Sequence, residues 1–379
     1  MGVGPRGPNG SEALDSLPSC HAAVIPAPGV APETREIAIP DLVPGAILLR
    51  TIASEVCGTD VHLYHGRLDG VPYPLIPGHI SIGHVEEMIS EVQDAEGNPI
   101  RPGDTVVFYD VIGTCGVCYV CSVAATPTRC PHRRVYGITL PGDKPSGGWS
   151  THIYLEPGTR TLKLTEGLSV EDYMGGGCGL HTGYRAVERA DIEIGASVLV
   201  MGAGPVGLSA TAFARLAGAA LVLVTGAPEA RLEAARHMEA NATMDITGSE
   251  KRDRVAWSRE QTEGRGPDVV IEAAGRPEAV VEAFEIVREG GTVVIAGQYT
   301  DAGDAVFNPH HHLNRKQLDV RGCFGFEFRH FYRATRSLTT IAKRFPWREL
   351  ITREYTLDEA ARALEDVAAL KVVKALIRP

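Results

Sequence analysis

The chain has 379 residues, 44% of them hydrophobic, a length that suits two domains better than one core; no apolar run reaches the roughly 18–20 residues of a membrane span. Its formal net charge of −10 argues against a nucleic-acid backbone or an anionic membrane as main partner. Eight cysteines without a basic, apolar leader point to the reducing cytoplasm, where clustered thiols more often bind metal than form disulfides.

Residues 1–20, "MGVGPRGPNGSEALDSLPSC", are rich in Gly, Pro and Ser and read as a disordered tail. Residues 40–160 carry short apolar runs broken by Gly and Pro: "GAILLRTIASEV", "PLIPGH", "RPGDTVVFYD", "GGWSTHIYLEP". That pattern is β-rich with tight turns. Inside it, Cys115, Cys118, Cys121 and Cys130 form C-x2-C-x2-C-x8-C. Four thiolates so close can close a tetrahedral shell around Zn²⁺; such a shell has no open position and pins a loop.

From about residue 184 the texture changes, and strand-like runs alternate with helical ones: "SVLVMG", "PVGLSATAFARLAGA", "ALVLVTG", "PEARLEAARHMEA", "DVVIEAAG", "PEAVVEAFEIVREG", "GTVVIAG". Alternating βα units of this length imply an α/β doubly wound parallel sheet with helices on both faces. The helix at 277–287 has Pro277 in its first turn and one apolar face of Val280, Ala283, Phe284 and Val287. A later helix starts at Thr356 and Glu359, which have capping-box spacing, with Leu357, Ala360, Ala361 and Leu364 as its stripe. "KVVKALIRP" reads as a final strand.

Between the first strand and helix of that alternating region stands "GAGPVG". Gly202, Gly204 and Gly207 make G-x-G-x-x-G, with Pro205 and Val206 inside it. In a βαβ context the glycines give a tight turn, close approach of a pyrophosphate and close helix packing, while the helix N-terminus offers free N–H groups. The end of the second strand carries Thr225 and Gly226, where an acidic residue would bind the ribose 2′-hydroxyl of NAD. A small residue leaves room for a 2′-phosphate, the nearest base is Arg231, and Glu229 stands close enough to reach back. NADP is favoured slightly over NAD.

These ordered signatures, "CGTDVH", "PLIPGH" followed by "GHV", the four-cysteine lobe, "CGLHTGY", "GAGPVG", "DVVIEAAG" and "EGGTVVIAG", resemble the zinc-dependent alcohol dehydrogenases of the medium-chain dehydrogenase/reductase superfamily over roughly residues 35–379. The resemblance implies a β-rich GroES-like catalytic domain over 21–180 and 328–379, and a Rossmann cofactor domain over 181–327. It implies an open catalytic zinc site of Cys57, His79 and Cys178, besides the structural zinc of the lobe. Thr59 would bond the substrate hydroxyl, His62 would pass its proton outward, and Asp60 would fix His79. Thr182, Ala274 and Gly297 would lie along the coenzyme. The implied reaction moves hydride between a secondary or cyclic alcohol and NAD(P)⁺, giving a ketone or aldehyde. The alternatives are a ketone or enone reductase, a non-oxidative zinc enzyme, or an inactive binding relative. A homodimer or homotetramer is expected, with an edge strand near 317–323 pairing across a two-fold axis.

The sequence departs from the family in three places: Ile80 stands where a Glu usually follows the His, the step from Cys121 to Cys130 is one residue longer than usual, and Gly226 replaces the acidic residue. The expected catalytic shell is therefore two cysteines and a histidine. His84 and His181 lie near site motifs without holding ligand positions, the run His310–His312 reads as a polar connection, and Cys20 and Cys323 read as free thiols.

Overall fold

Two sheets organise the chain, and the change of texture near residue 184 separates them. The computed structural model describes residues 18–379. The tail expected over 1–20 therefore lies outside the described residues up to position 17, and its end is corrected: Ser19 and Cys20 begin the strand Ser19–Val24, paired antiparallel with Glu33–Ala38. The reason is burial: Cys20, Ala22, Ala23 and Val24 pack with Trp149 in one apolar cluster.

The first sheet has seven strands, in the order Ile351–Tyr355, Lys374–Ile377, Ile47–Val56, Ser81–Glu87, Thr105–Phe108 and Thr161–Lys163, with His152–Leu155 also pairing on Ile47–Val56. The final strand thus returns to the first domain, setting Leu376 opposite Glu55 and Ala375 opposite Val56. The second sheet has six parallel strands in the order Ala242–Asp245, Leu221–Gly226, Ser197–Met201, Val269–Glu272, Thr292–Ile295, Asp319–Gly322. Its central strands are apolar runs because helices cover both faces: Val198, Val200, Val222, Val224 and Ile271 are fully buried. Each such side chain contributes about 1.5–3 kcal/mol by leaving water. The order reverses between Ser197–Met201 and Val269–Glu272, the place where open α/β sheets bind ligands.

The helix expected at 277–287 spans Pro277–Ile286, with Val280, Ala283, Phe284 and Val287 all buried. At "TLDE" the reciprocal Thr356–Glu359 cap forms and a 3-10 turn, Leu357–Glu359, leads into Ala360–Ala368. Its buried face is Leu357, Ala360, Ala363 and Leu364, while Ala361 is only half-buried.

One helix, Val170–Ala190, joins the two halves. Ser169 and Asp172 cap its start reciprocally, at 3.1 and 3.0 Å. It packs on the helices Pro205–Leu216 and Phe328–Ile341. The 180/181 boundary drawn from the sequence falls inside it, just past Gly177, where φ 51° and ψ −140° break the helical path. No helix among the described residues is long and apolar enough to cross a membrane.

Candidate active site

Three distant segments deliver two thiols and an imidazole to the wall of one cavity. Cys57 follows the strand Ile47–Val56 and caps the helix Gly58–Tyr64: its Sγ accepts the Thr59 N–H at 3.3 Å, and its own N–H donates to Asp60 Oδ2 at 2.8 Å. His79 precedes the strand Ser81–Glu87 and is 4% exposed. Cys178 follows the break at Gly177. Cys57, His79 and Cys178 all line one cavity, close enough for Cys57 and His79 to shift the Cys178 thiol. Ligand atoms of Cys57, Asp60 and His79 lie within 4.8 Å of one another.

The protonation pattern follows from this crowding. The bond from Cys57, opposed by burial and assisted by His79, holds the Cys178 thiol well below its ordinary value. That same bond and burial push Cys57 well above it. Burial works to discharge His79, but the bond and charge of Cys178, with Asp60 and Asp110, raise it to about 10. The two shifts run in opposite senses, Cys178 toward the thiolate and His79 toward the protonated ring. A divalent cation would instead be held by thiolate and neutral imidazole, so the donor types present fit zinc.

Around that centre lies a cavity of about 710 Å³, lined from both sheets. Thr59 and His62 line it. His62 Nδ1 is buried without a partner among the described residues, and burial, then Arg67 and His65, lower its pKa from 6.5. Asp60 is fully buried, and burial raises its pKa to about 6 against the pull of His79. Its hydrogen bond is the helix cap at Cys57 rather than a bond to His79, and its Oδ1 is buried without a partner among the described residues. Apolar walls come from Val111, Val135, Ile138, Phe324 and Phe326.

Cys115, Cys118, Cys121 and Cys130 bring their sulfurs within 4.8 Å of one another. The Cys130–Cys115 and Cys118–Cys130 sulfurs are 3.6 and 3.9 Å apart. A tetrahedron with Zn–S bonds of 2.3 Å has edges of ~3.8 Å, so the donor set fits a closed zinc shell. Backbone N–H groups of Val117 and Cys118 lower Cys115 to about 6, whereas burial and Cys118 raise Cys121 to about 12. Between Cys121 and Cys130 the chain turns through a left-handed residue at Ala125 (φ 52°) and the 3-10 turn Pro127–Arg129. The lobe also touches the cavity wall: the Thr128 N–H donates to Glu327 at 3.1 Å, and the Arg129 guanidinium lies 4.5 Å from the Phe324 ring centroid.

On the parallel-sheet side, Thr182, Gly204, Pro205, Val206, Ala274 and Gly297 line the cavity. Gly204 caps the helix Pro205–Leu216. Gly202 and Gly207 stand behind the loop, where a Cβ on Gly207 would lie 1.8 Å from the Gly202 carbonyl oxygen. This loop fits a pyrophosphate: bare backbone at a helix start. Thr225, Gly226 and Arg231 sit outside the cavity lining. A Cβ on Gly226 would meet Ala203 at 2.7 Å, so no side chain stands there. Arg231 Nη1 lies 3.8 Å from the Cβ position of Gly204, its Nη2 donates to the Val372 carbonyl at 3.0 Å, and its buried Nε has no partner among the described residues. Glu229 pairs instead with Arg236 at 2.6 Å.

Several site groups escaped the sequence reading. Asp110 and Arg133 line the cavity beside His79; Asp110 Oδ1 is buried without a partner among the described residues. Glu272 accepts the N–H groups of Ala274 at 2.8 Å, Gly275 at 2.7 Å and Gly297 at 3.2 Å, shaping the coenzyme-side rim. Glu55 is 1% exposed, and its N–H donates to the carbonyl of Ile80 at 3.0 Å. The strand beside Ile80 therefore supplies a buried carboxylate where position 80 has none. A charged residue inside an apolar strand was the available signal for Glu55 and for Lys374. His84 bonds Thr105 at 3.0 Å and His181 bonds Thr335 at 3.2 Å; neither lines the cavity. His310–Asn314 forms a surface turn, and Cys20 and Cys323 are unpaired and buried.

Residues 43–166 match the family model of the alcohol dehydrogenase GroES-like domain, and residues 205–340 that of the zinc-binding dehydrogenase. The chain is 31% identical to 5-exo-hydroxycamphor dehydrogenase of Pseudomonas putida, covering 91% of this chain and 95% of that one. It is 28% identical to sorbitol dehydrogenase of Mus musculus, covering 90% of each. Among solved structures, an alcohol dehydrogenase from Thermotoga maritima superposes with a TM-score of 0.89 at 31% identity, over 95% of this chain and 99% of that one. A candidate zinc-binding dehydrogenase from Sinorhizobium meliloti 1021 bound to NADP gives 0.83 at 29% identity, over 96% and 100%.

Proposed function

Since the chain belongs to the zinc-dependent alcohol dehydrogenases, oxidoreductases that use zinc and a nicotinamide coenzyme, we propose that Cys57, His79 and Cys178 hold the catalytic zinc and that the crevice beside Gly204–Val206 takes the coenzyme. The observation that carries this reading is that Cys57, His79 and Cys178 all line the cavity that the glycine loop also lines, with ligand atoms of Cys57 and His79 within 4.8 Å of each other. When bound, zinc supplies Lewis-acid polarisation of the alcohol oxygen and the nicotinamide accepts hydride.

The chain's own residues do the rest. Thr59 accepts a hydrogen bond from the substrate hydroxyl and relays a proton by releasing its own hydroxyl proton as it takes up the substrate's, and His62 takes the released proton and hands it to solvent. The lowered pKa of His62 keeps its imidazole neutral, and so able to accept, at neutral pH. Val135, Ile138, Phe324 and Phe326 exclude water and give an apolar seat suited to a secondary or cyclic alcohol. Cys115, Cys118, Cys121 and Cys130 hold a second, structural zinc that shapes the wall through Thr128 and Arg133.

NADP is the preferred coenzyme. The support is the bare strand end at Gly226, the engagement of Glu229 by Arg236, and the Arg231 guanidinium beside Gly204. A second copy docks along the outer edge of Asp319–Gly322, which pairs with no further strand among the described residues. Eight unpaired cysteines suit a reducing cytoplasm. The test is a screen of secondary and cyclic alcohols with NADP⁺ and NAD⁺, read as coenzyme reduction. Reduction with a cyclic alcohol, fastest with NADP⁺, is the expected result; no reduction with any alcohol contradicts it.

A further inference from the structure

The helix Val170–Ala190 breaks at Gly177, with φ 51° and ψ −140°, a backbone region that essentially only glycine enters. The break takes the neighbouring backbone groups off the helical ladder, in an interior where unpaired groups are costly. Two of them find side-chain partners. The Cys178 N–H donates to Glu55 Oε2 at 2.6 Å, and the Gly176 carbonyl accepts from Lys374 Nζ at 3.2 Å. Glu55 and Lys374 are themselves paired through Oε1 and Nζ, each side chain 1% exposed. There is no space for anything larger than hydrogen at the break: a Cβ on Gly177 would meet Glu55 Oε2 at 2.3 Å and Lys374 Nζ at 2.6 Å.

Stability alone does not account for this pair. A buried ion pair gains little over apolar residues of the same volume, because both charges lose their hydration. What it offers is direction. Glu55 is fixed by its strand: its N–H bonds the Ile80 carbonyl at 3.0 Å, and its own carbonyl accepts Trp149 Nε1 at 3.1 Å. Lys374 arrives from the last strand, one residue before Ala375, which stands opposite Val56. Both anchors thus belong to the strand that ends just before Cys57 and to its neighbour.

We propose that the Glu55–Lys374 ion pair is the positioning device for Cys178, capping the two backbone groups on either side of Gly177 and so fixing this thiol against Cys57 and His79. The chain's final strand then has a part in the metal site without touching the metal. This rests on the reading of Cys57, His79 and Cys178 as the catalytic zinc ligands.

The test uses the cobalt-substituted full-length protein and the rate at which a chelator extracts the metal. Three variants are compared with wild type: Glu55→Gln with Lys374→Met, which removes both charges together; Glu55→Asp, which keeps the charge but shortens the reach; and Cys178→Ser. The double variant and Glu55→Asp should release one metal about 10–100-fold faster, the range for partners that orient a ligand. Their thiolate-to-cobalt absorption should move toward that of Cys178→Ser, while the lobe metal is retained. Should the double variant not fold, Glu55→Asp decides. Wild-type release and spectrum in a folded pair variant, with Cys178→Ser altered, overturn the positioning role alone. A Cys178→Ser protein with an unchanged spectrum overturns the ligand reading and this inference with it.

Discussion

The protein carries two thiol sites built on opposite plans. The lobe draws Cys115, Cys118, Cys121 and Cys130 from sixteen consecutive positions, on a loop with little regular structure, and three of the four thiols are only half-buried. The other set draws Cys57, His79 and Cys178 from three elements, and its surroundings hold Asp60, Glu55, Asp110 and Lys374 under 10% exposure each. A local site needs its metal to make the loop. A distributed set is largely made by the fold, through caps, sheet register and one kinked helix, and on the proposed reading a metal held there would keep an open position. The difference predicts that the two sites fail differently.

The largest expected effect is on turnover. Cys57→Ala or His79→Ala should bring alcohol oxidation to the detection limit, with the circular dichroism spectrum preserved and metal content falling by one zinc per chain. Loss of fold in these variants would erase the distinction between the sites. Cys115→Ser should instead act on stability. The lobe has few apolar contacts to hold it without zinc, so we expect a loss of about 3 kcal/mol and a melting temperature lower by roughly 5–10 °C. Differential scanning calorimetry with zinc analysis checks this.

Removing Arg231 should sharpen the coenzyme side. Arg231→Ala should weaken NADP⁺ binding about 10–100-fold, from the about 1.5–3 kcal/mol of a charge-assisted hydrogen bond, and leave NAD⁺ binding nearly unchanged. Titration by fluorescence or calorimetry measures both; equal losses for the two coenzymes would count against a 2′-phosphate contact.

The smallest effect concerns acid. His181, one helical turn beyond Cys178, is fully buried, and burial, with the charges of Lys374 and His79, lowers its pKa to about 3. Unfolding restores a value near 6.5. Between those values the unfolded chain binds the extra proton, so stability falls as pH drops from about 6.5 toward 3, by up to about 1.4 kcal/mol per pH unit. Urea titrations at pH 7.5 and 5.5 should show that loss in wild type and a smaller one in His181→Asn.

How much of this was legible follows the same division. The lobe could be read from spacing, since four cysteines in one short segment carry their geometry with them. The parallel sheet could be read from the alternation of apolar runs, and the cap at Thr356–Glu359 from its spacing. Cys57, His79 and Cys178 could be named only through resemblance, because separations of many residues hold no local geometry. The strand at Ser19–Val24 was hidden in a segment of tail-like composition, since its partner and Trp149 lie elsewhere in the chain. Glu55 and Lys374 were visible as charges inside apolar strands, yet their pairing depends on the antiparallel register of the last strand with Ile47–Val56. Asp110 and Arg133 gave no signal at all, because their place beside His79 exists only once the loops are folded.

Zinc-edge anomalous scattering from crystals of the full-length protein tests the central claim most directly. Two peaks per chain are predicted, one enclosed by Cys115, Cys118, Cys121 and Cys130, the other touching Cys57, His79 and Cys178 and open toward the crevice beside Gly204. A single peak in the lobe, from zinc-replete crystals in which Cys57, His79 and Cys178 stay empty, would contradict it.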